Sequence, residues 1–319
     1  MNTLRKLLKT CLSNGMVLCL ILPAFAQDSN ILHPIAEIEQ KLKYEPFDIV
    51  KIRPSRFKGD MTKRAILRYS DNKVIQVKWK RCAPGGSATN NQPRYEISAY
   101  EIQKLFLDPK DFVVPPTIAR CLPVTQYHDI EPNVNPTFKN TPDVFYVLQY
   151  WLEAVSHKKI FDKKRFKSDS LYAWHLGNMN ILSYLIEHKD ANVGNFLIST
   201  DPQNPRVFAV DNGFAFKSPE SDQGSEWRRI RVKRLPKETV DRLRKITRED
   251  LEKTLGVVAQ FEIKDGYMIP VEPSENLNKK KGVRHTDHII QFGLTGLESS
   301  VRGLPGADGP GRFCFFVFP

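Results

Sequence analysis

The sequence predicts an α+β fold in two lobes, a β-rich lobe over 46–152 followed by a mainly helical lobe over 153–292. Three observations predict it. Phe47–Ile52, Arg64–Tyr69 and Val74–Trp79 read as short strands, with Ser70-Asp-Asn-Lys73 as turn chemistry between the last two. Asp143–Tyr150 (DVFYVLQY) is a nearly continuous apolar run, the pattern of a buried strand. The character then changes: Asp169–Glu187 carries apolar residues at helical spacing, with Ser168 or Asp169 available as its cap.

The remaining elements follow from the same signals. Ile31, Ile35, Ile38 and Leu42 define a short amphipathic helix within an N-terminal segment, 27–45. Residues 82–93 (CAPGGSATNNQP) form a polar loop, and Tyr95–Leu107 reads as a helix with Ala99, Ile102, Leu105 and Phe106 on its apolar stripe. Thr117–Leu122 returns to extended structure, and Thr239–Ile246 and Arg248–Leu255 read as shorter helices. The lobe boundary is expected near 150–155.

Composition limits the function classes. The 319 residues are 41% hydrophobic and 26% charged, which excludes a collagen, a coiled coil or a wholly disordered chain. No repeat of 20–50 residues is present. The net charge of +12 fits an anionic partner. The basic residues lack interleaved aromatics, so no nucleic-acid partner is expected.

Residues 1–26 have the layout of a signal peptide. Arg5, Lys6 and Lys9 precede an apolar run, Met16–Leu22, and Ala24-Phe-Ala26 places small residues before a cleavage point at Gln27. The run is too short to span a bilayer, so the mature chain is expected to be exported and free of a transmembrane segment. Cleavage would remove three of the 48 basic residues and none of the 36 acidic ones. Cys82, Cys121 and Cys314 remain, and in an oxidising compartment Cys82 and Cys121 are expected to pair. No CxxC or zinc-type spacing exists, and His285-Thr-Asp-His288 reads as solvated.

The chemistry-bearing stretch is His188-Lys-Asp-Ala-Asn-Val-Gly-Asn195, followed by Val210-Asp-Asn-Gly213. Phe196–Ser199 and Arg206–Val210 read as a hairpin joined at Asp201–Asn204. Its open ends lie about 5 Å apart, which brings Asn195 and Asp211 together. Asp190 lies on the adjoining loop. Converging oxygen ligands suit Mg²⁺ bound with substrate phosphates, and Gly213 would permit a sharp turn after the carboxylate.

Asp190 and Asn195 reproduce the D-x-x-x-x-N loop of protein kinases, and Asp211-Asn-Gly213 stands where they carry D-F-G. The sequence thus resembles the protein-kinase-like superfamily over roughly 46–290. It is most similar to its atypical branch: the secretory-pathway kinases of the Golgi casein kinase and xylosylkinase family, the HipA-type kinases and the phosphoinositide kinases. Val77-Lys78 on a strand matches the strand lysine. Glu96-Ile-Ser-Ala-Tyr100 through Val114-Pro-Pro116 is similar to a stretch of the secretory-pathway kinases, which selects Glu96 as its partner. Lys80 with Glu101 is the second choice, because Lys80 shares the face of Lys78 on a two-residue period.

The resemblance implies a phosphotransferase using ATP with Mg²⁺ or Mn²⁺. Lys78 would hold the phosphates and be oriented by Glu96, Asn195 and Asp211 would hold the metal, and Asp190 would be the base. Gly59 and Lys63 match a reduced phosphate loop, and Gln149, Tyr150 and Trp151 the hinge facing adenine. The acceptor would be a hydroxyl of a protein, glycan or small molecule. Arg228–Arg234, with five cations in seven residues, fits an anionic one or a solvated face. A nucleotide-binding pseudokinase and a kinase-like AMP transferase are the alternatives. Residues 293–319, with six of the 17 glycines and no lysine, are expected to form an atypical, disordered tail.

Overall fold

The computed structural model describes residues 28–55, 61–89, 91–190, 192–216 and 229–299, together with the backbone of 316–318. A helix, α1 (Ile35–Tyr44), precedes the first sheet. That sheet comprises β1 (Asp48–Pro54), β2 (Thr62–Arg68), β3 (Val74–Arg81), β4 (Thr117–Pro123) and β5 (Asp143–Tyr150), in the antiparallel order β1-β2-β3-β5-β4. Helix α2 (Pro93–Gln103) connects β3 to β4, and a single turn, α3 (Val124–Tyr127), follows β4.

The pleat sorts this sheet into two faces. Ala65, Leu67, Ile75, Val77, Trp79, Tyr146 and Leu148 point one way and are closed over by Ile38 and Leu42 of α1. Trp79 anchors that layer: it stacks on Tyr146 at 4.0 Å between ring centres, and its indole N–H donates to the Tyr127 hydroxyl at 2.9 Å. Lys78, Lys80 and Gln149 therefore point the other way, toward α2.

The second lobe begins with β6 (Val155–Ser156) and α4 (Lys163–Ser168), followed by α5 (Ser170–Leu185). The Asp169 carboxylate caps α5 by accepting the Tyr172 N–H. This helix is buried almost all round, including Asn178, Asn180 and Ser183. Next come β7 (Phe196–Ser199), β8 (Val207–Ala209), β9 (Arg234–Pro236), α6 (Lys237–Leu243) and α7 (Arg248–Leu255).

Gly177 lets α5 approach the end of β9. A Cβ there would lie 2.5 Å from Pro236 Cδ and 3.0 Å from Cγ. The proline ring cannot swing aside, so Gly177→Ala is expected to destabilise the fold by about 1–3 kcal/mol. The readout is a lower urea midpoint, and an unchanged midpoint would contradict the packing.

The mainly helical reading of 153–292 requires a correction at its end. Residues 259–292 form a four-stranded antiparallel sheet: β10 (Ala259–Lys264), β11 (Tyr267–Val271), β12 (Val283–His285) and β13 (Ile289–Phe292), in the order β11-β10-β13-β12. It docks on the first lobe. Phe261, Met268, Ile290 and Phe292 share a core with Phe145, Val147, Ala119 and Ile97, and Phe292 stacks on Phe145 at 4.2 Å. The alternation that makes these strands spans only a few residues each, and a Lys-rich loop interrupts it.

Residues 293–299 do not form the expected disordered tail. Leu294 is buried, its N–H donating to the Leu255 carbonyl, and Glu298 receives both terminal nitrogens of Arg94 at the start of α2. The backbone of β14 (Phe316–Phe318) pairs in parallel with β9. Residues 300–315, with Cys314, lie outside the described residues, as do residues 1–27, which hold the signal-peptide reading.

Cys82 and Cys121 are free thiols. The sheet order explains why. Cys82 N–H donates to the Phe145 carbonyl from one side, while Cys121 pairs in register with Phe145 from the other. With β5 between them, the two cysteines stand about 10 Å apart, two strand spacings, beyond the ~7 Å that a disulfide tolerates. Burial pushes both thiols up, Cys121 to about 12. Alkylation at pH 8 is therefore expected to be slow in the folded protein and complete in denaturant. Non-reducing peptide maps should contain no 82–121 crosslink; finding one would overturn this register.

Candidate functional site

The β3 pleat and the first turns of α2 create the centre of the site. Lys78 and Lys80 reach from one face of β3 to the same oxygen of Glu96, Nζ to Oε1 at 3.5 and 3.1 Å. Glu96 is only 2% exposed. Its second oxygen accepts the backbone N–H of Asn212 at 3.1 Å, which ties α2 to the loop after β8.

That loop delivers Asp211. Within the β7–β8 hairpin, Phe196 pairs with Ala209, and the Val210 N–H donates to the Asn195 carbonyl at 2.9 Å. Asn195 and Asp211 thus leave the open end of the hairpin together. Asp211 Oδ1 lies 2.9 Å from Lys78 Nζ and 3.6 Å from Lys80 Nζ. Lys78 above all, helped by Lys80 against the cost of burial, holds the Asp211 carboxyl well below the usual carboxylate range.

The expected turn at Gly213 takes another form. The left-handed residue is Asp211 itself, with φ of 59°, a conformation found preferentially where surrounding structure enforces it. Gly213 lies outside that region. It borders the cluster: a Cβ there would sit in ordinary contact, 3.4 Å from both Glu96 Oε1 and Lys80 Nζ.

Asp190 stands on the loop between α5 and β7, with both oxygens occupied. Oδ1 accepts the Asn192 amide at 3.0 Å and Oδ2 the Asn195 amide at 3.1 Å. Asn195 Nδ2 also donates to the Asp190 carbonyl at 2.7 Å. Burial raises the Asp190 pKa, the Asp211 charge adding to it and the two amides opposing. His188 is buried beside the loop, with its ring 5.8 Å from that of Phe196, and burial pushes its pKa down to about 4. It is therefore neutral at physiological pH.

The donor set fits a hard cation held jointly with phosphate. The side-chain nitrogen of Asn195 is committed to Asp190, which leaves its carbonyl oxygen, and the Asp211 side chain is 44% exposed. Two oxygen donors suit Mg²⁺ or Mn²⁺ completed by phosphate and water. Among the described residues, no group of three His, Cys, Asp or Glu would hold a metal by protein ligands alone.

The other expected positions are divided. Gln149 pairs with Lys78 across β3–β5 and shares its face, but it is buried, its amide donating to Thr117 Oγ1 at 3.0 Å. Tyr150 has its ring on the α1 face, with its hydroxyl accepting the Leu32 N–H. Its side chain does not face the cleft. Trp151 is 36% exposed beneath the Arg64 guanidinium, and its backbone N–H is spent on the Gln76 carbonyl. Lys63 requires correction: it pairs with Trp79, which places it on the opposite face from Lys78, and its ammonium lies 3.5 Å from Glu131. Gly59 and Arg228 lie outside the described residues.

The first-choice pair, Lys78 with Glu96, is present, whereas the second choice, Lys80 with Glu101, is not formed: Lys80 also meets Glu96. Glu101 sits one and a half turns along α2 from Glu96 and meets Lys104 at 2.9 Å. Sequence reasoning missed Asn192, whose signal was its position inside the loop: its Oδ1 accepts the Gly194 N–H while its amide holds Asp190.

No protein-family model and no curated protein matches the sequence. Among solved structures, the chain is similar to a Golgi casein kinase with Mn/ADP bound, at 16% identity and TM-score 0.44, over 69% of this chain and 67% of that one. It is similar to hydra Fam20 with sugar at 14% identity and TM-score 0.41, over 66% and 74%. To a MAP kinase of Leishmania major it is similar at 11% and 0.30, over 69% and 68%. Within this chain, a five-stranded lobe and a second lobe meet at the Lys78–Glu96–Asp211 cluster. That arrangement is a two-lobed α+β fold with the ion cluster between the lobes.

Proposed function

We propose that the protein is an exported kinase that transfers the terminal phosphoryl group of ATP to a hydroxyl acceptor. One observation carries this reading. Two strand lysines, Glu96 and Asp211 converge within 3.6 Å, beside an Asp190 whose two oxygens are held by Asn192 and Asn195. Structural ion pairs do not need a neighbouring carboxylate held in one orientation; phosphoryl transfer does.

ATP with Mg²⁺ or Mn²⁺ would supply the transferable group and neutralise its charge. The roles of the chain's own groups follow from their surroundings. Lys78 offers a cation to the phosphates, held in place by Glu96. Asn195 and Asp211 present oxygens to the metal. Asp190 takes the proton from the acceptor hydroxyl onto a carboxylate oxygen, and the burial that raises its pKa makes it a stronger base than an exposed aspartate. Export rests on residues 1–26; no helix among the described residues is long and apolar enough to cross a membrane.

The test incubates protein lacking residues 1–26 with ATP labelled at the α or the γ position, plus Mn²⁺ or Mg²⁺. Transfer of the γ label alone is expected. Transfer of the α label would identify an AMP transferase, and metal-dependent binding without transfer of either label would identify a pseudokinase.

A further inference from the structure

Glu96 sits in the first turn of α2, and the two residues before it are gripped by a side chain 204 positions from Arg94. Both terminal nitrogens of buried Arg94 donate to Glu298, Nη2 at 2.8 Å. The Tyr95 hydroxyl donates to the same carboxylate and accepts from Arg94 Nη2 at 2.9 Å. Glu298 is itself fixed, because its Oε2 accepts the Thr295 N–H at 2.8 Å. Its segment is fastened on two further sides, Leu294 N–H to the Leu255 carbonyl and Gly296 N–H to the Lys279 carbonyl, each at 2.8 Å. Arg94 has no room to swing, since a Cβ on Gly282 would lie 2.5 Å from its guanidinium. On its other side the Tyr95 ring packs on Phe216, centres 5.8 Å apart, just beyond Asp211-Asn-Gly213. One carboxylate thus holds the start of the helix that carries Glu96, and through Tyr95 it reaches the loop that carries Asp211. A two-pronged guanidinium–carboxylate pair fixes orientation as well as distance.

We infer that Glu298 is a positioning residue: by clamping Arg94 and Tyr95 it sets where the first turn of α2 presents Glu96 to Lys78 and to the Asn212 N–H. The consequence for phosphoryl transfer rests on the kinase reading; the placement of Glu96 does not. The competing role is a plain anchor, with Glu298 fastening residues 293–299 to the fold and leaving Glu96 where it is. The two differ in a measurable way. An anchor contributes to stability alone. A positioning residue controls the hydrogen bond from Asn212 to Glu96, 3.1 Å long, whose N–H reports the place of Glu96 directly.

The experiment is site-resolved amide hydrogen exchange of the empty wild type and Glu298→Ala, beside single-turnover transfer from ATP with Mn²⁺ at a temperature where both are folded. The Asn212 N–H is expected to exchange about tenfold or more faster in the variant, the worth of a lost hydrogen bond to a charged group. Amides of β2 and β3 should keep their wild-type rates. Transfer should fall by about tenfold to a hundredfold, the cost of misplacing a site by a fraction of an ångström to 1 Å. If Glu298→Ala fails to fold, Glu298→Gln, which can still accept from Thr295, takes its place under the same criteria. Wild-type exchange at Asn212 in a folded variant, or faster exchange spread evenly over all amides, would overturn the positioning role and leave the kinase reading standing. Local exchange at Asn212 with undiminished transfer would overturn its catalytic consequence. Absence of transfer by wild type would overturn the kinase reading, with the Asn212 rates still deciding the role of Glu298.

Discussion

Glu96→Ala is expected to cost about 3–5 kcal/mol of folding stability, the range for breaking a buried ion pair from one side, and to abolish metal-dependent ATP binding. Glu96 is 2% exposed and accepts from three donors: Lys78, Lys80 and the backbone N–H of Asn212. Removing it takes a carboxylate away from two neighbouring ammonium groups, and leaves the buried Asn212 N–H without its acceptor. It also unties α2 from the loop that carries Asp211. Glu96→Gln should lie between, because an amide oxygen can still accept from Asn212 while the charge is gone. The measurement is urea unfolding of the three proteins beside ATP titration with Mn²⁺. An alanine variant as stable as wild type would show that the cluster is not the keystone of the lobe interface.

The sequence made the local elements readable because each carries its own periodicity. Val77-Lys-Trp-Lys80 alternates strictly, so the pleat alone determines that both lysines share a face and that Trp79 does not. Asp169 and the apolar spacing after it define α5 within two residues. Asn195 and Asp211 are legible as neighbours because pairing within a hairpin is a short-range constraint.

What resisted reading was long-range. That β5 inserts between β3 and β4 is a fact of topology, and it separates Cys82 from Cys121. Lys63 was misplaced through a motif match, when a count along β2 from buried Ala65 would have put it on the α1 face. The docking of β10–β13 onto Phe145 depends on residues more than a hundred positions apart, and no local pattern encodes it.

Asp190 separates binding from chemistry more cleanly than any other residue. Its oxygens are taken by Asn192 and Asn195. Asp190→Ala should therefore bind ATP with metal nearly as well as wild type, yet lose transfer by at least about a hundredfold, the lower end for removing a general base. Asp211 behaves oppositely. Its left-handed φ of 59° would strain an alanine, so Asp211→Asn is the better variant, since asparagine tolerates that conformation. It should lose the metal-dependent part of ATP's thermal stabilisation while the empty protein stays folded. Lys78→Ala should weaken binding and transfer together, because its cation acts on the phosphates both before and during reaction. Affinity by calorimetry and single-turnover transfer, measured on the same preparations, distinguish these patterns. Wild-type transfer by Asp190→Ala would remove the loop from the chemistry, and an undiminished metal-dependent shift in Asp211→Asn would remove Asp211 from the metal site.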